Sequence, residues 1–163
     1  MIKLLSHIDV QPLLAEYNQL EKDIQWIEYG HKGKQSGLQY KIDEAHWTSA
    51  VGKSQGDELA YTNLNPFFKD TIFEEIINKY NLVKTRLMWI GPYACYSMHN
   101  DQTPRIHIPL ITNSECYFVF QAGKLSNLTT NSIWWVDTRL RHTFMNCSAH
   151  HRLHLVGVVD YEF

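Results

Sequence analysis

The most informative residues in this sequence are a histidine and an aspartate one position apart, His99 and Asp101 in SMHNDQTPRIHIPL. Side chains at positions i and i+2 of a β-strand emerge on the same face, so this triplet can offer an imidazole nitrogen and a carboxylate oxygen to one metal ion. The triplet alone is a weak signal, because the chain has nine histidines and a second match, His7-Ile8-Asp9. We interpret Asp9 as a helix cap rather than a ligand.

A third potential ligand, His142 in RHTFMN, follows at a distance that several short strands and their turns can span. In an antiparallel sandwich, His142 can therefore return beside His99 and Asp101. Two histidines and one carboxylate on one face of an iron ion leave three coordination positions open, as in the non-haem Fe(II) oxygenases. These open positions suit a chelating 2-oxo acid and dioxygen.

Two arginines offer positive charge for such an acid. Arg152 begins the segment RLHLVGVVD soon after His142, and a guanidinium can hold a carboxylate through two parallel hydrogen bonds. In RIHIPL, Arg105 and His107 share one face of a predicted strand, and we expect this face to point into the sandwich. A buried Arg105 needs an anion. We therefore predict that Arg152 holds the far carboxylate of 2-oxoglutarate and that Arg105 and His107 contact its other end.

These motifs, in this order, resemble the signature of the aspartyl/asparaginyl β-hydroxylase-like family of Fe(II)- and 2-oxoglutarate-dependent oxygenases. The matching elements lie within about residues 86 to 160 and are His99-x-Asp101, Arg105-x-His107-x-Pro109, His142-x-x-x-Asn146 and Arg152-x-His154-Leu155. The resemblance implies a double-stranded β-helix that binds iron through the three potential ligands and 2-oxoglutarate through Arg152. Members of the wider group hydroxylate Asp or Asn residues in proteins, free proline, or lipid-linked acyl chains.

The second half of the chain has the pattern of strands that such a site needs. From Leu82 onward, short β-branched and aromatic runs alternate with turn residues at a spacing near ten. The pattern predicts strands at about 83–90, 93–99, 104–111, 115–121, 132–136, 141–146 and 151–160. Because no helix separates them, they indicate an antiparallel sandwich or barrel. We predict a mainly β, cupin-like jelly-roll core over residues 82–163.

Residues 1–81 are predicted to mix helices and loops. Apolar spacing predicts helices at about 9–20 and 66–80, which we expect to pack on one outer face of the sandwich. The segments YGHKGKQSG and AVGKSQGD have a composition typical of surface loops, and we interpret them as possible lids. No linker or repeat divides the chain, so we expect one oxygenase domain over residues 1–163.

Composition and charge argue against several classes of protein. Charged residues are 20% and hydrophobic residues 44%, as in ordinary folded domains. A net charge of -2 indicates neither nucleic-acid binding nor a strongly basic partner. With no apolar run long enough for a membrane span and no evident signal sequence, we expect a cytoplasmic protein. We expect Cys95, Cys116 and Cys147 to be reduced and buried, since their spacing supports neither a disulfide framework nor a zinc site.

The sequence thus predicts an Fe(II)- and 2-oxoglutarate-dependent dioxygenase that hydroxylates an amino acid or a peptide side chain, with that choice and the oligomeric state open. One alternative is a cupin-type metalloprotein with another reaction. His142-x-x-x-Asn146 resembles the second cupin motif, although the His-x-His and Glu of the first motif are absent. A second alternative is a non-catalytic jelly-roll module that stacks sugars on Trp134 and Trp135.

Overall fold

The computed structural model describes residues 1–30, 32–52 and 56–162. Within these residues the chain forms two α-helices, α1 (Gln11–Leu20) and α2 (Ile72–Lys79), and two short 3-10 turns at Glu58–Ala60 and Pro66–Phe68. The strands are β1 (Ile2–His7), β2 (Ile27–Glu28), β3 (Gly33–Gly37), β4 (Gln39–Tyr40), β5 (Asn63–Leu64), β6 (Val83–Ile90), β7 (Ala94–Cys95), β8 (Arg105–Ile111), β9 (Cys116–Phe120), β10 (Leu125–Ser126), β11 (Ser132–Val136), β12 (His142–Asn146) and β13 (Arg152–Val158).

Two antiparallel sheets form the body of the fold. The large sheet has seven strands in the order β1-β11-β8-β13-β6-β3-β2, and the small sheet has four in the order β10-β9-β12-β7. A separate ribbon pairs β4 with β5. This architecture confirms the predicted mainly β jelly roll, a double-stranded β-helix.

Both helices pack on the outer face of the large sheet, as the apolar spacing predicts. Leu13 of α1 and Phe73 of α2 are completely buried. They join the alternate apolar residues of β8 and β13, which form the main core with Ile106, Ile108, Leu153 and Leu155. Because strand residues alternate between faces, Arg105 and His107 of β8 point to the inner side of the same sheet.

The predicted strands of the second half agree with the structure. Those at 83–90 and 132–136 have the observed bounds, and four others differ by one or two residues at an end. The predicted strand 93–99 is reduced to β7 and an isolated bridge between His99 and His142. The predicted helix 66–80 is divided, because Asp70 adopts a left-handed backbone conformation between the 3-10 turn and α2.

The first forty residues contribute more to the large sheet than the sequence predicts. Strand β1 pairs with β11, and β3 pairs with β6, so the jelly roll is not confined to residues 82–163. The segment 33–37 was expected to be a loop because of its glycines, yet it is a buried strand. A Cβ at Gly33 would lie 2.4 Å from the Tyr29 carbonyl oxygen, so glycine here permits close packing. Residues 31 and 53–55 of the two predicted loops lie outside the described residues.

The structure also tests what the sequence predicts for the cysteines and for membrane spans. All three cysteines have free thiols, but only Cys116 is buried, and the expectation of burial is wrong for Cys95 and Cys147. Neither α1 nor α2 has the length and apolar character required to cross a lipid bilayer.

Candidate metal centre and ligand cavity

A cavity of about 650 Å³ opens between the two sheets. The connection from β7 to β8 and the start of β12 form one side of it. The inner face of the large sheet forms the other. All six residues singled out from the sequence line this one cavity: His99, Asp101, Arg105, His107, His142 and Arg152.

The three potential metal ligands meet where β12 begins, beside the connection from β7 to β8. One ligand atom from each of His99, Asp101 and His142 lies within 4.8 Å of the other two. The backbones of the two histidines are joined by a pair of hydrogen bonds of 2.9 and 2.8 Å, and the amide of Asp101 donates to the Thr138 carbonyl. The backbone therefore holds the three side chains together, and small side-chain rotations can bring all three onto one ion.

Local hydrogen bonds prepare both imidazoles for metal binding. His99 Nδ1 lies 2.7 Å from the Ser97 carbonyl oxygen, and His142 Nδ1 lies 2.8 Å from that of Leu140. A carbonyl oxygen can only accept, so each Nδ1 carries the proton and each Nε2 keeps a lone pair. Burial lowers the pKa of His142, which also favours the neutral imidazole that a metal requires.

The carboxylate of Asp101 contacts both sides of the cavity. Its Oδ2 lies 3.9 Å from His142 Nε2, on the side of the potential metal site. Its Oδ1 lies 3.3 Å from Arg105 Nη2 on the large sheet. This arrangement leaves one oxygen for an ion while the other is held by a guanidinium.

A buried acid from the first half of the chain completes this contact. Glu58 accepts hydrogen bonds from Arg105 Nη1 at 2.9 Å and Arg105 Nη2 at 2.8 Å, and it also binds Lys84 Nζ at 3.0 Å and the Thr103 hydroxyl at 2.6 Å. Burial by itself raises the pKa of Glu58, but the hydrogen bonds and charge of Arg105 hold it well below its usual range. Glu58 is therefore ionised.

Arg105 has its counter-charge within the chain. The sequence predicts an external anion for a buried Arg105, but Glu58 provides the anion. Arg105 still lines the cavity, where its Nε has no hydrogen-bond partner among the described residues.

Arg152 carries a buried charge without an acidic partner. It is 1% exposed, its guanidinium carbon lies 3.1 Å from the ring centre of Phe144, and Nη2 contacts His154 Nδ1. No carboxylate among the described residues forms an ion pair with it. Burying an unpaired charge is costly, so Arg152 is suited to an anion that enters the cavity.

His107 is a buried residue of the cavity wall. Neither of its ring nitrogens has a hydrogen-bond partner in the described part of the chain. Burial, followed by the charge of Arg152, lowers the pKa of His107 well below its usual value, so the ring is neutral. A neutral imidazole with one donor and one acceptor can accommodate a polar ligand.

Arg86, which lines the cavity, and Glu58, which binds Arg105, were not found from the sequence. Arg86 of β6 lines the cavity and is 6% exposed. The alternation in VKTRLMWI places Lys84, Arg86 and Met88 on one face, and this is the same signal that identified Arg105 and His107 in β8. Glu58 lies in a 3-10 turn, and no motif in its neighbourhood indicates its role.

Comparison with known protein families identifies one family over most of the chain. The model of the aspartyl/asparaginyl beta-hydroxylase family matches residues 9–161. No curated protein sequence matches the chain significantly.

Solved structures resemble the chain in fold. An oxidoreductase of the 2OG-Fe(II) oxygenase family from Burkholderia pseudomallei has a TM-score of 0.62 and 13% identity over 96% of this chain and 82% of its own. HygX from Streptomyces hygroscopicus, with nickel, 2-oxoglutarate and hygromycin B bound, has a TM-score of 0.57 and 8% identity over 96% and 81%. A Pseudomonas putida prolyl-4-hydroxylase has a TM-score of 0.52 and 12% identity over 96% and 90%.

Proposed function

This chain belongs to the aspartyl/asparaginyl beta-hydroxylase family, and from that premise we propose that it is an Fe(II)- and 2-oxoglutarate-dependent dioxygenase. Its substrate is an amino acid or a peptide side chain, which it hydroxylates. The observation that carries the proposal is the meeting of His99, Asp101 and His142 beside a cavity whose opposite wall holds Arg152, a buried cation with no acidic partner among the described residues.

The donor set fits Fe(II). Two neutral imidazoles and one carboxylate bind one face of the ion and leave positions for other ligands, which distinguishes this set from a closed structural zinc site. Bound Fe(II) and 2-oxoglutarate supply the oxidation, in which dioxygen cleaves the oxo acid to succinate and carbon dioxide and hydroxylates a C–H bond.

The chain's own groups bind and orient the reactants. Arg152 holds the far carboxylate of 2-oxoglutarate, because it is a buried cation in the cavity wall and no acid in the described part of the chain pairs with it. His107 and the Nε–H of Arg105 lie near the other end of the oxo acid. Arg105 also orients Asp101, since its Nη2 contacts both Asp101 and Glu58.

The small-sheet side of the cavity limits the access of water. Phe118 stacks on His142 with ring centres 4.9 Å apart, and Phe120 and Phe144 lie against it. Such an apolar surround strengthens the binding of charged ligands and protects a reactive centre from side reactions.

Anaerobic addition of Fe(II) and 2-oxoglutarate tests the proposal. The wild-type protein should develop the weak visible charge-transfer band of the iron chelate, and exposure to oxygen should release succinate. His99→Ala should abolish both signals, whereas His151→Ala, which changes a histidine stacked on Trp89 outside the cavity, should retain them. Metal binding without any dependence on 2-oxoglutarate would instead favour a cupin-type metalloprotein, and absence of metal binding would favour a non-catalytic module.

A further inference from the structure

The inner face of the large sheet carries a second buried arginine that the proposed function leaves unused. Arg86 is 6% exposed, lines the cavity and donates through Nη1 to the Ala50 carbonyl at 3.0 Å. Its Nε has no hydrogen-bond partner among the described residues, and no carboxylate there forms an ion pair with it. A buried guanidinium with unused donors is suited to an anionic ligand.

The strand register separates Arg86 from the arginine assigned to the oxo acid. Arg86 lies opposite Val156 of β13, whereas Arg152 lies opposite Ile90, four residues further along β6. At about 3.4 Å per strand residue, the two arginines start from points roughly 14 Å apart along the strands. Arg86 and Arg152 therefore enter the cavity wall from separate points of the large sheet.

The charges around the cavity also favour an anionic substrate. Four buried cations, Lys84, Arg86, Arg105 and Arg152, accompany two carboxylates, Glu58 and the partly buried Asp101. Both carboxylates contact Arg105, and Glu58 also binds Lys84. Burial and the charge of Arg105 lower the pKa of Arg86, while Asp101 and Glu58 favour its charged form and raise this pKa from beyond ion-pair distance. A divalent cation and a dianionic oxo acid cancel each other and leave this positive excess in place.

We propose that Arg86 binds the α-carboxylate of a free amino acid, which is the substrate of this site. The proposal rests on the proposed function and makes its substrate class specific. The carboxylate must reach a guanidinium that is nearly enclosed by protein, and a small ligand with an exposed acid group can do so. Arg86 thereby fixes one end of the substrate while the rest extends along the cavity towards His99, Asp101 and His142.

Equilibrium binding tests this proposal without turnover. Isothermal titration calorimetry on Zn(II)-loaded protein, with and without 2-oxoglutarate, should compare the standard L-amino acids with their amides and with N-acetyl aspartate methylamide. We expect at least one free amino acid to bind, and to bind at least about 10-fold more tightly than its amide, because a charge-assisted pair is lost in the amide. Arg86→Met should weaken the acid by a similar factor, and Arg86→Lys should recover part of the affinity.

The controls separate Arg86 from the oxo acid and from folding. Arg139→Met removes an exposed arginine outside the cavity and should change nothing, and the Tm of each variant reports its folding. The affinity for 2-oxoglutarate should be the same in Arg86→Met and wild type. If neither wild type nor Arg86→Met bound 2-oxoglutarate, the proposed function would be refuted. If wild type bound 2-oxoglutarate and Arg86→Met did not, Arg86 would be assigned to the oxo acid.

Other outcomes would overturn the inference itself. These are equal binding of acid and amide, wild-type affinity in Arg86→Met, or no binding of any free amino acid by a protein that still binds 2-oxoglutarate. Preferential binding of N-acetyl aspartate methylamide would mean that Arg86 binds the side-chain carboxylate of a peptide and not the α-carboxylate of a free amino acid.

Discussion

The two sides of the cavity differ in the chemistry that they carry and in their exposure to solvent. The small sheet and the connection into β8 provide His99, Asp101 and His142, of which the first two are only partly buried. The inner face of the large sheet provides cations that are at most 6% exposed, namely Lys84, Arg86, Arg105 and Arg152. A side that carries potential metal ligands thus faces a side that carries buried cations.

Each side of the cavity is supported by a separate part of the core. The helices α1 and α2 cover the outer face of the large sheet and form the main core with it. This core holds the strands in place, and the strands in turn position the side chains on the inner face. The small sheet packs a second, smaller apolar cluster around Phe118 and Phe144. One ion-pair chain, Glu58 to Arg105 to Asp101, links the two sides. Substitutions on one side should therefore alter one class of ligand, and a change in the link should alter both.

The largest effect on stability is expected from removing the negative charge of Glu58, the acid that binds Arg105. Glu58→Gln leaves Lys84 and Arg105 buried without their shared acid, and loss of one partner from a buried ion pair costs about 3–5 kcal/mol. Urea unfolding should show this loss. Arg105 should also turn towards Asp101, and metal affinity should fall by about 10-fold or more, as for other groups that orient a ligand.

An exposed acid provides the control for this variant. Glu162→Gln removes a pair with Arg139 on the surface, and its effect on the free energy of unfolding should stay below about 1 kcal/mol. If Glu58→Gln were no more destabilising than Glu162→Gln and bound metal like wild type, the two sides of the cavity would not be linked through Glu58.

The second prediction separates the two sides. Arg152→Met should raise the Kd for 2-oxoglutarate by about 10- to 100-fold, because a charge-assisted hydrogen bond contributes about 1.5–3 kcal/mol. The Kd for Mn(II) alone should change by less than about 2-fold, since Arg152 forms no ion pair with the potential metal ligands. Calorimetry on wild type, Arg152→Met and Arg139→Met measures both constants. A parallel loss of metal and oxo-acid affinity would contradict the division between the sides.

The same division explains what the sequence could and could not predict. His142 and Arg152 lie at the starts of two strands of the second half, where alternation predicts the face of each side chain. Glu58 reaches Arg105 across 47 positions of the chain, from a turn with no repeating pattern. The glycine-rich composition of β3 predicts a loop, because only the packing around Gly33 and Gly37 shows why a side chain is excluded there. Local patterns thus identified three potential ligands that the structure brings together, but they gave no sign of the acid that links the two sides.

The smallest expected effect concerns pH and the charge of the large sheet. Burial, and then the nearby charge of Arg86, lower the pKa of Lys84 to about 8, against the favourable influence of Glu58. In the unfolded chain the pKa returns to 10.5. Between these values the unfolded state holds more protons than the folded state, so the contribution of Lys84 to stability rises with pH.

Lys84→Met isolates this contribution. Urea unfolding of wild type and variant between about pH 8 and 9.5 should show the difference in free energy of unfolding moving in favour of wild type as pH rises, by at most about 1.4 kcal/mol per pH unit. Such a rise would mean that the folded protein releases a proton from Lys84 more readily than the unfolded chain does. Lys84 contacts Glu58, so the positive charge on the large-sheet side would then exceed what Glu58 compensates. Parallel profiles would mean that Glu58 balances Lys84 completely. The excess charge that favours an anionic substrate would then reside on Arg86 and Arg152 alone.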